Sequence, residues 1–83
     1  MPRYFFHVKD GVNLPDHIGT EVPTIDAARQ MAILASGEAI RELGAQFWKS
    51  EEWQMRVVDE NDHPVLTLRF SGELAQLAPA MLG

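Results

Sequence analysis

Three histidines are the side chains of this 83-residue sequence best suited to chemistry: His7, His17 and His63. His17 follows Asp16 and His63 follows Asp62, so a metal site could form if these two loops met. No His-x-x-x-His or comparable ligand spacing is present, and Asp is common in solvated turns. The sequence therefore favours turn residues over ligands, and we expect no metal site and no cofactor.

Motifs for nucleophilic catalysis and phosphate binding are also missing from the sequence. It contains no cysteine, and no serine stands in a recognisable pattern with a histidine. The six glycines are scattered along the chain instead of forming a phosphate-binding loop. We therefore expect no catalytic residues and a protein that is not an enzyme.

Composition narrows the class of protein further. A hydrophobic content of 46% excludes a disordered chain, and a net charge of −5 disfavours non-specific binding to nucleic acid or anionic membranes. The Tyr4-Phe5-Phe6 patch is too short for a signal peptide, and no apolar run reaches the roughly 18 residues of a membrane span. These features, with the absence of cysteine, favour a cytoplasmic protein without membrane contact.

One amphipathic helix is predicted from Thr24 to Gly44. Thr24 can cap its first turn, Asp26 suits the positive end of its dipole, and Gly44 is typical of a residue just beyond a helix. An alanine-rich stripe recurs at spacings of three and four residues, which predicts a face that packs closely on a sheet.

Four strands are expected around this helix. Residues with alternating polarity or extended character cover Arg3–Lys9, Ile18–Val22, Trp53–Asp59 and Val65–Phe70. The pattern predicts an α+β fold, strand-strand-helix-strand-strand, with a four-stranded antiparallel sheet in the order 2-1-3-4 and the helix across one face. Residues 1–72 form this single domain, and residues 73–83 form a short helical turn and a frayed tail.

The sheet face opposite the helix is the candidate interaction face. It should carry four of the seven basic residues beside an aromatic side chain, and its predicted members are Arg3, Phe5, His7, Lys9, Arg56, Val58, Val65, Thr67 and Arg69. Faces of this kind bind single-stranded nucleic acid by stacking bases and holding phosphates, although the acidic total charge disfavours such a partner. An ordinary solvated face and a protein interface are the alternatives.

The expected function is a non-enzymatic protein-interaction module. Phe5, Val58 and Val65 could form an apolar patch on the outer face, and the tail adds Leu74 and further apolar residues. A chain this short has a marginal core, so burying apolar surface against a second copy would stabilise it. We therefore expect a homodimer that uses the outer face, the tail or both, with another protein as a further candidate partner.

The opening Met1-to-Gly11 segment (MPRYFFHVKDG) resembles that of a family of short bacterial proteins of unknown function. Further points of similarity are Asp16–Glu21, Asp26–Arg29, Trp53, Val57–Glu60 and Leu66–Phe70. That family commonly has a glycine in the turn where this chain has Asn61-Asp62-His63, and it implies no activity. The order of elements is also similar to that of small antitoxins from one bacterial toxin–antitoxin class, which is an analogy of fold only.

Overall fold

The structure, a computed structural model, describes residues 1–75 and has one α-helix packed on an open antiparallel sheet. The α+β class and the antiparallel sheet predicted from the sequence are confirmed. The strands are β1 (Arg3–Asp10), β2 (Val12–Leu14), β3 (Thr20–Glu21), β4 (Glu52–Val58) and β5 (Pro64–Ser71), and the helix is α1 (Ile25–Leu43).

The sheet has five strands, so the predicted count of four is wrong. Its order is β2-β1-β4-β5, and β3 pairs with β1 on the edge that β2 also occupies. The additional strand is β2, which folds back on β1 because Gly11 adopts a φ of 75° and lets Asp10 pair with Val12. The four segments predicted as strands take the predicted order, with β3 standing for Ile18–Val22.

Helix α1 lies where the sequence places it. The Thr24 hydroxyl accepts a hydrogen bond from the amide of Ala27 at 3.0 Å, and Asp26 pairs with Arg29 in the first turn. At the other end Gly44 has a φ of 53°, which stops the α-helix. The chain then continues as a 3₁₀ helix over Gly44–Lys49.

The core lies between α1 and the inner face of the sheet. Ala28 and Ala32 are fully buried, as the alanine stripe predicts for close packing. The buried apolar residues that form one contiguous cluster are Tyr4, Val22, Ala28, Ala32, Phe47, Trp53, Met55 and Val57. Phe6 and Val8 pack against this cluster but stay partly exposed.

Phe70 and Ile25 lie at the margin of the core. Phe70 is 48% exposed and Ile25 is 43% exposed. Phe70 lies on the edge strand, where its ring meets the ring of buried Phe47 edge-on at 5.1 Å. Phe47, from the 3₁₀ helix, therefore takes the interior position.

Beyond β5, the residues Glu73–Ala75 have no regular structure. The rest of the predicted helical turn and the tail lie outside the described residues. Within residues 1–75, no helix combines the length and apolar character that crossing a bilayer requires.

Candidate binding face of the sheet

The outer face, which is the sheet face opposite α1, is organised by the strand register. His7 on β1 lies opposite Arg56 on β4, and Arg56 lies opposite Thr67 on β5. In the next row of the same face, Lys9 lies opposite Gln54, and Gln54 lies opposite Arg69. Five of the nine predicted residues, those of these two rows, therefore lie together on the outer face: His7, Lys9, Arg56, Thr67 and Arg69.

Arg3 and Phe5 lie at the end of the outer face and are tied to the segment before β3. The Arg3 guanidinium donates to the carbonyl of Ile18 at 2.9 Å and pairs with Glu21 at 3.2 Å. The Phe5 ring lies parallel to the His7 ring, with centroids 6.5 Å apart, and it packs against the backbone of Gly19. Arg3 is thus already engaged, and Phe5 is half-buried.

The apolar patch expected from Phe5, Val58 and Val65 is not exposed as predicted. Val58 is only 2% exposed. A bulge lies between Val57 and Val58, since Val57 pairs with Leu66 and Val58 with Pro64. Val65 is the extra residue of this bulge and packs against the core cluster. A partner that docks on the outer face would therefore find little apolar surface there.

The basic residues of the outer face differ in whether they form a salt bridge. Among residues 1–75, Arg3 has a carboxylate partner, whereas Lys9, Arg56 and Arg69 form no salt bridge. The side chains of these three residues are exposed. They remain available to an external anion.

The loop before β3 holds His7 in a defined orientation. The backbone amide of Asp16 donates to Nδ1 of His7 at 3.0 Å, so this nitrogen is the acceptor and the neutral ring carries its proton on Nε2. The Asp16 carboxylate accepts hydrogen bonds from the amides of Phe6, Ile18 and Gly19 at 3.0–3.1 Å. Sequence reasoning placed Asp16 in a solvated turn, and the signal it missed is the Asp-x-x-Gly spacing of a side chain that binds its own loop.

These hydrogen bonds also set the ionisation of Asp16. Partial burial disfavours the charged carboxylate, but the three amides, led by that of Gly19, and the nearby His7 outweigh burial and hold the pKa of Asp16 below its ordinary value of 3.8. Asp16 is therefore a fixed negative group that anchors the loop to the edge of β1.

A groove of about 410 Å³, the outer groove, opens beside His7. Outward side chains of β1 and β4 form its floor, and the segment that follows Gly11 forms its wall. Its lining residues are His7, Val8, Lys9, Asn13, Leu14, Pro15, Gln54 and Arg56. The wall was not foreseen because it depends on β2, which the sequence did not reveal.

One protein family matches the part of the chain that contains all five strands. The sequence of residues 3–71, from the first residue of β1 to the last of β5, matches a family described as a domain of unknown function, DUF6894. The chain belongs to the DUF6894 family. Comparison of the sequence with curated proteins and with solved structures found no match. The resemblance to a family of unknown function is thereby confirmed, and the DUF6894 description assigns no chemistry to any residue.

A second surface of this DUF6894 chain lies at the edge formed by β5. Within residues 1–75, β5 pairs with β4 on one side and with no strand on the other. A mostly apolar groove of about 220 Å³, the edge groove, runs between this strand and α1. Its lining residues are Ser36, Gly37, Ile40, Trp53, Leu68, Arg69 and Phe70.

Of the residues considered as metal ligands, Asp62 and His63 lie in the turn between β4 and β5, which is held together by Asp59. Asp59 accepts the amides of Asn61 and His63, and its carboxylate lies 3.3 Å from the His63 ring. Asp62 has a φ of 64°, a left-handed conformation that glycine adopts without strain. No group of three or more metal-ligating side chains comes together in the part of this DUF6894 chain that the structure describes.

Proposed function

We propose that this chain is a non-enzymatic protein-interaction module of the bacterial cytoplasm that forms a homodimer through the free edge of β5. The observation that carries the proposal is the eight-residue β5, which among residues 1–75 pairs only with β4. An unpaired strand edge is a template for pairing with another chain. The lack of cysteine and the resemblance to short bacterial proteins support the compartment.

Apolar surface next to β5 supports an interface at this edge. Phe70 is 48% exposed, and Ile33, which stands one helical turn before Ser36 and Gly37 on the same face of α1, is 58% exposed. Between them lies the edge groove, where no atom outside the adjoining helix backbone comes within 4 Å of the position that a Cβ of Gly37 would occupy. A second chain that pairs with β5 would cover these groups and remove their apolar area from water.

The sequence of β5 suits pairing with a second copy of itself. In an antiparallel pair centred on Leu68, Leu66 lies opposite Phe70 of the partner, and Thr67 lies opposite Arg69 of the partner. Arg69 is the only charged residue of β5, so this register opposes no like charges. A two-fold axis at Leu68 would give both chains the same set of contacts. The proposed interface is therefore the edge of the sheet and not the outer face, where Val58 is buried.

The mass in solution tests the association. At about 100 μM, where a specific dimer with a Kd near 10 μM is mostly paired, light scattering should give twice the chain mass of 9.3 kDa. A mass of one chain at this concentration would refute the homodimer.

Charge at Thr67 tests the register. Thr67→Lys places a cation opposite Arg69 of the partner, and Thr67→Glu places an anion there. Each contact occurs twice in a symmetric dimer, so the lysine variant should weaken the dimer and the glutamate variant strengthen it by roughly 2- to 30-fold in Kd. The control variants Gln30→Lys and Gln30→Glu make the same changes on the exposed face of α1. Equal effects at both positions would show that net charge, not the β5 register, governs association.

A further inference from the structure

The outer groove has an electrostatic character opposite to that of the whole chain. The chain carries a net charge of −5, yet none of its 12 Asp and Glu side chains, all within residues 1–75, lines this groove. Lys9 and Arg56 line it, and neither forms a salt bridge within the described residues. The groove thus concentrates unpaired positive charge on an otherwise acidic protein.

The neutral donors of the groove are oriented by the fold. Because Nδ1 of His7 accepts the amide of Asp16, the proton of the neutral ring lies on Nε2, which makes this nitrogen a donor. Gln54 adds an amide on the same floor, one row away from Arg56. The Asp16 carboxylate is occupied by the amides of Phe6, Ile18 and Gly19. The loop is therefore fixed before any ligand arrives, which limits the entropic cost of binding.

From this arrangement we infer that the outer groove binds a small phosphate-bearing molecule of about the size of a nucleotide. The Arg56 guanidinium is a planar fork that matches phosphate oxygens, and Lys9 adds a second charge. The volume of about 410 Å³ lies in the range of small-molecule sites. Pro15 gives the wall an apolar surface for the uncharged part of the ligand.

The ligand is a small molecule and not a nucleic-acid strand because of the charge around the groove. A strand would carry one negative charge per nucleotide across a protein whose net charge is −5, so each added nucleotide meets repulsion. A single phosphate needs only the local cations Lys9 and Arg56. The site is on the outer face, away from the edge of β5, so its occupancy does not depend on the homodimer.

Titration by NMR with four probes tests the inference: inorganic phosphate, adenosine monophosphate, adenosine, and a thymidine octanucleotide. We expect saturable shifts of the His7, Lys9 and Arg56 amides with adenosine monophosphate, weaker ones with phosphate, and none with adenosine. Absence of saturable shifts with phosphate and adenosine monophosphate up to about 10 mM, beyond the range of specific small-ligand binding, overturns the inference. Tighter binding of the octanucleotide than of adenosine monophosphate also overturns it and makes the face a nucleic-acid site.

Matched variants assign the binding to the outer groove. Arg56→Gln should weaken binding of adenosine monophosphate at least tenfold, whereas Arg41→Gln, the same change at an exposed position on α1, should leave it unchanged. Lys9→Gln provides a second test in case Arg56→Gln perturbs β4, and it should also weaken binding. Equal affinity in the Lys9, Arg56 and Arg41 variants would refute the site. The Ile33→Gln variant, which removes apolar surface from the proposed dimer interface on α1 without changing the charge and lies outside the outer groove, should retain the binding, so the two proposals fail separately.

Discussion

The carboxylate of Asp16 takes the place of a strand at the edge of β1. β2 pairs with the end of β1 and β3 with its beginning, and the amide of Phe6 lies between them. Asp16 accepts that amide at 3.1 Å, so a side chain supplies the hydrogen bond that a continuous edge strand would have made. One residue therefore joins two short strands into one edge and also orients His7.

Replacement of Asp16 by Asn should destabilise the fold. Asn retains one acceptor oxygen but loses the other, and its amino group cannot accept a backbone amide. Leaving a partly buried amide unpaired costs about 1–3 kcal/mol in the free energy of unfolding. Chemical denaturation at neutral pH measures this difference, and a variant as stable as the parent would contradict the role given to Asp16.

The stability difference between parent and Asp16→Asn should depend on pH. The pKa of Asp16 is lower in the folded state than the ordinary 3.8, so its contribution is complete above that value. As the pH falls through the folded pKa, the carboxylate is protonated and the contribution is lost. Asp59, whose pKa is lowered chiefly by the amide of His63, is present in both proteins and cancels in the difference. Denaturation curves at several pH values should show the gap closing only below pH 3.8.

Alanine variants of Gly19 and Gly11 form a matched pair that tests how tightly the segment between β1 and β3 is packed. Both have a positive φ, of 74° and 75°, so alanine at either position costs about 1–2 kcal/mol in backbone strain. A Cβ at Gly19 would also lie 2.8 Å from atoms of Arg3 and Phe5, whereas at Gly11 it would meet Ser50 at an ordinary 3.6 Å. Overpacking adds about 1–3 kcal/mol, so Gly19→Ala should be the more destabilising in thermal unfolding. Equal losses would mean that the loop relaxes freely.

At the scale of elements, helix α1 contains one glycine that lowers helix stability and has no packing role within the monomer. Gly37 lies in the middle of α1, and nothing approaches the place of its missing Cβ. Gly37→Ala should therefore stabilise the fold by about 0.5–1 kcal/mol, because alanine loses less backbone entropy in a helix. Thermal unfolding of the dilute protein measures this gain. A loss of stability would indicate that the backbone at Gly37 is in close contact with another chain.

The long elements were predictable and the short ones were not. The helix could be located because Thr24 and Gly44 mark its ends and an alanine stripe gives its period. β2 has three exposed residues, which is too short for alternation to be visible, and its existence depends on the φ of Gly11. For the same reason the sequence located the cations of the outer face but not the wall of the outer groove.

Local irregularity also limits what alternation predicts about side-chain exposure. The bulge between Val57 and Val58 adds one residue to β5 relative to β4, so Val65 packs on the core instead of the outer face. Phe6 points to the predicted face but is only partly buried, because α1 packs mainly on β4 and β5. Alternation gives the face of a residue, whereas burial depends on what covers that face.

At the scale of the whole molecule, association should make thermal stability depend on protein concentration. A dimer that binds only folded chains stabilises them by mass action, so the melting temperature rises as the protein is concentrated. Differential scanning calorimetry over a hundredfold concentration range should show this rise in the parent and a smaller one in Thr67→Lys. A melting temperature that is independent of concentration in both proteins would contradict the dimer.

The two edges of the sheet are unlike, and this asymmetry limits how far assembly can go. A fibre grows only if each subunit has two binding surfaces, so that it can bind one neighbour on each side. Here one side is the long β5, while the other is divided into three-residue β2 and two-residue β3, separated by the Asp16 loop. Once two chains join through β5, both ends of the joined sheet are interrupted edges. Growth should therefore stop at two, and concentrating the protein should give no filament.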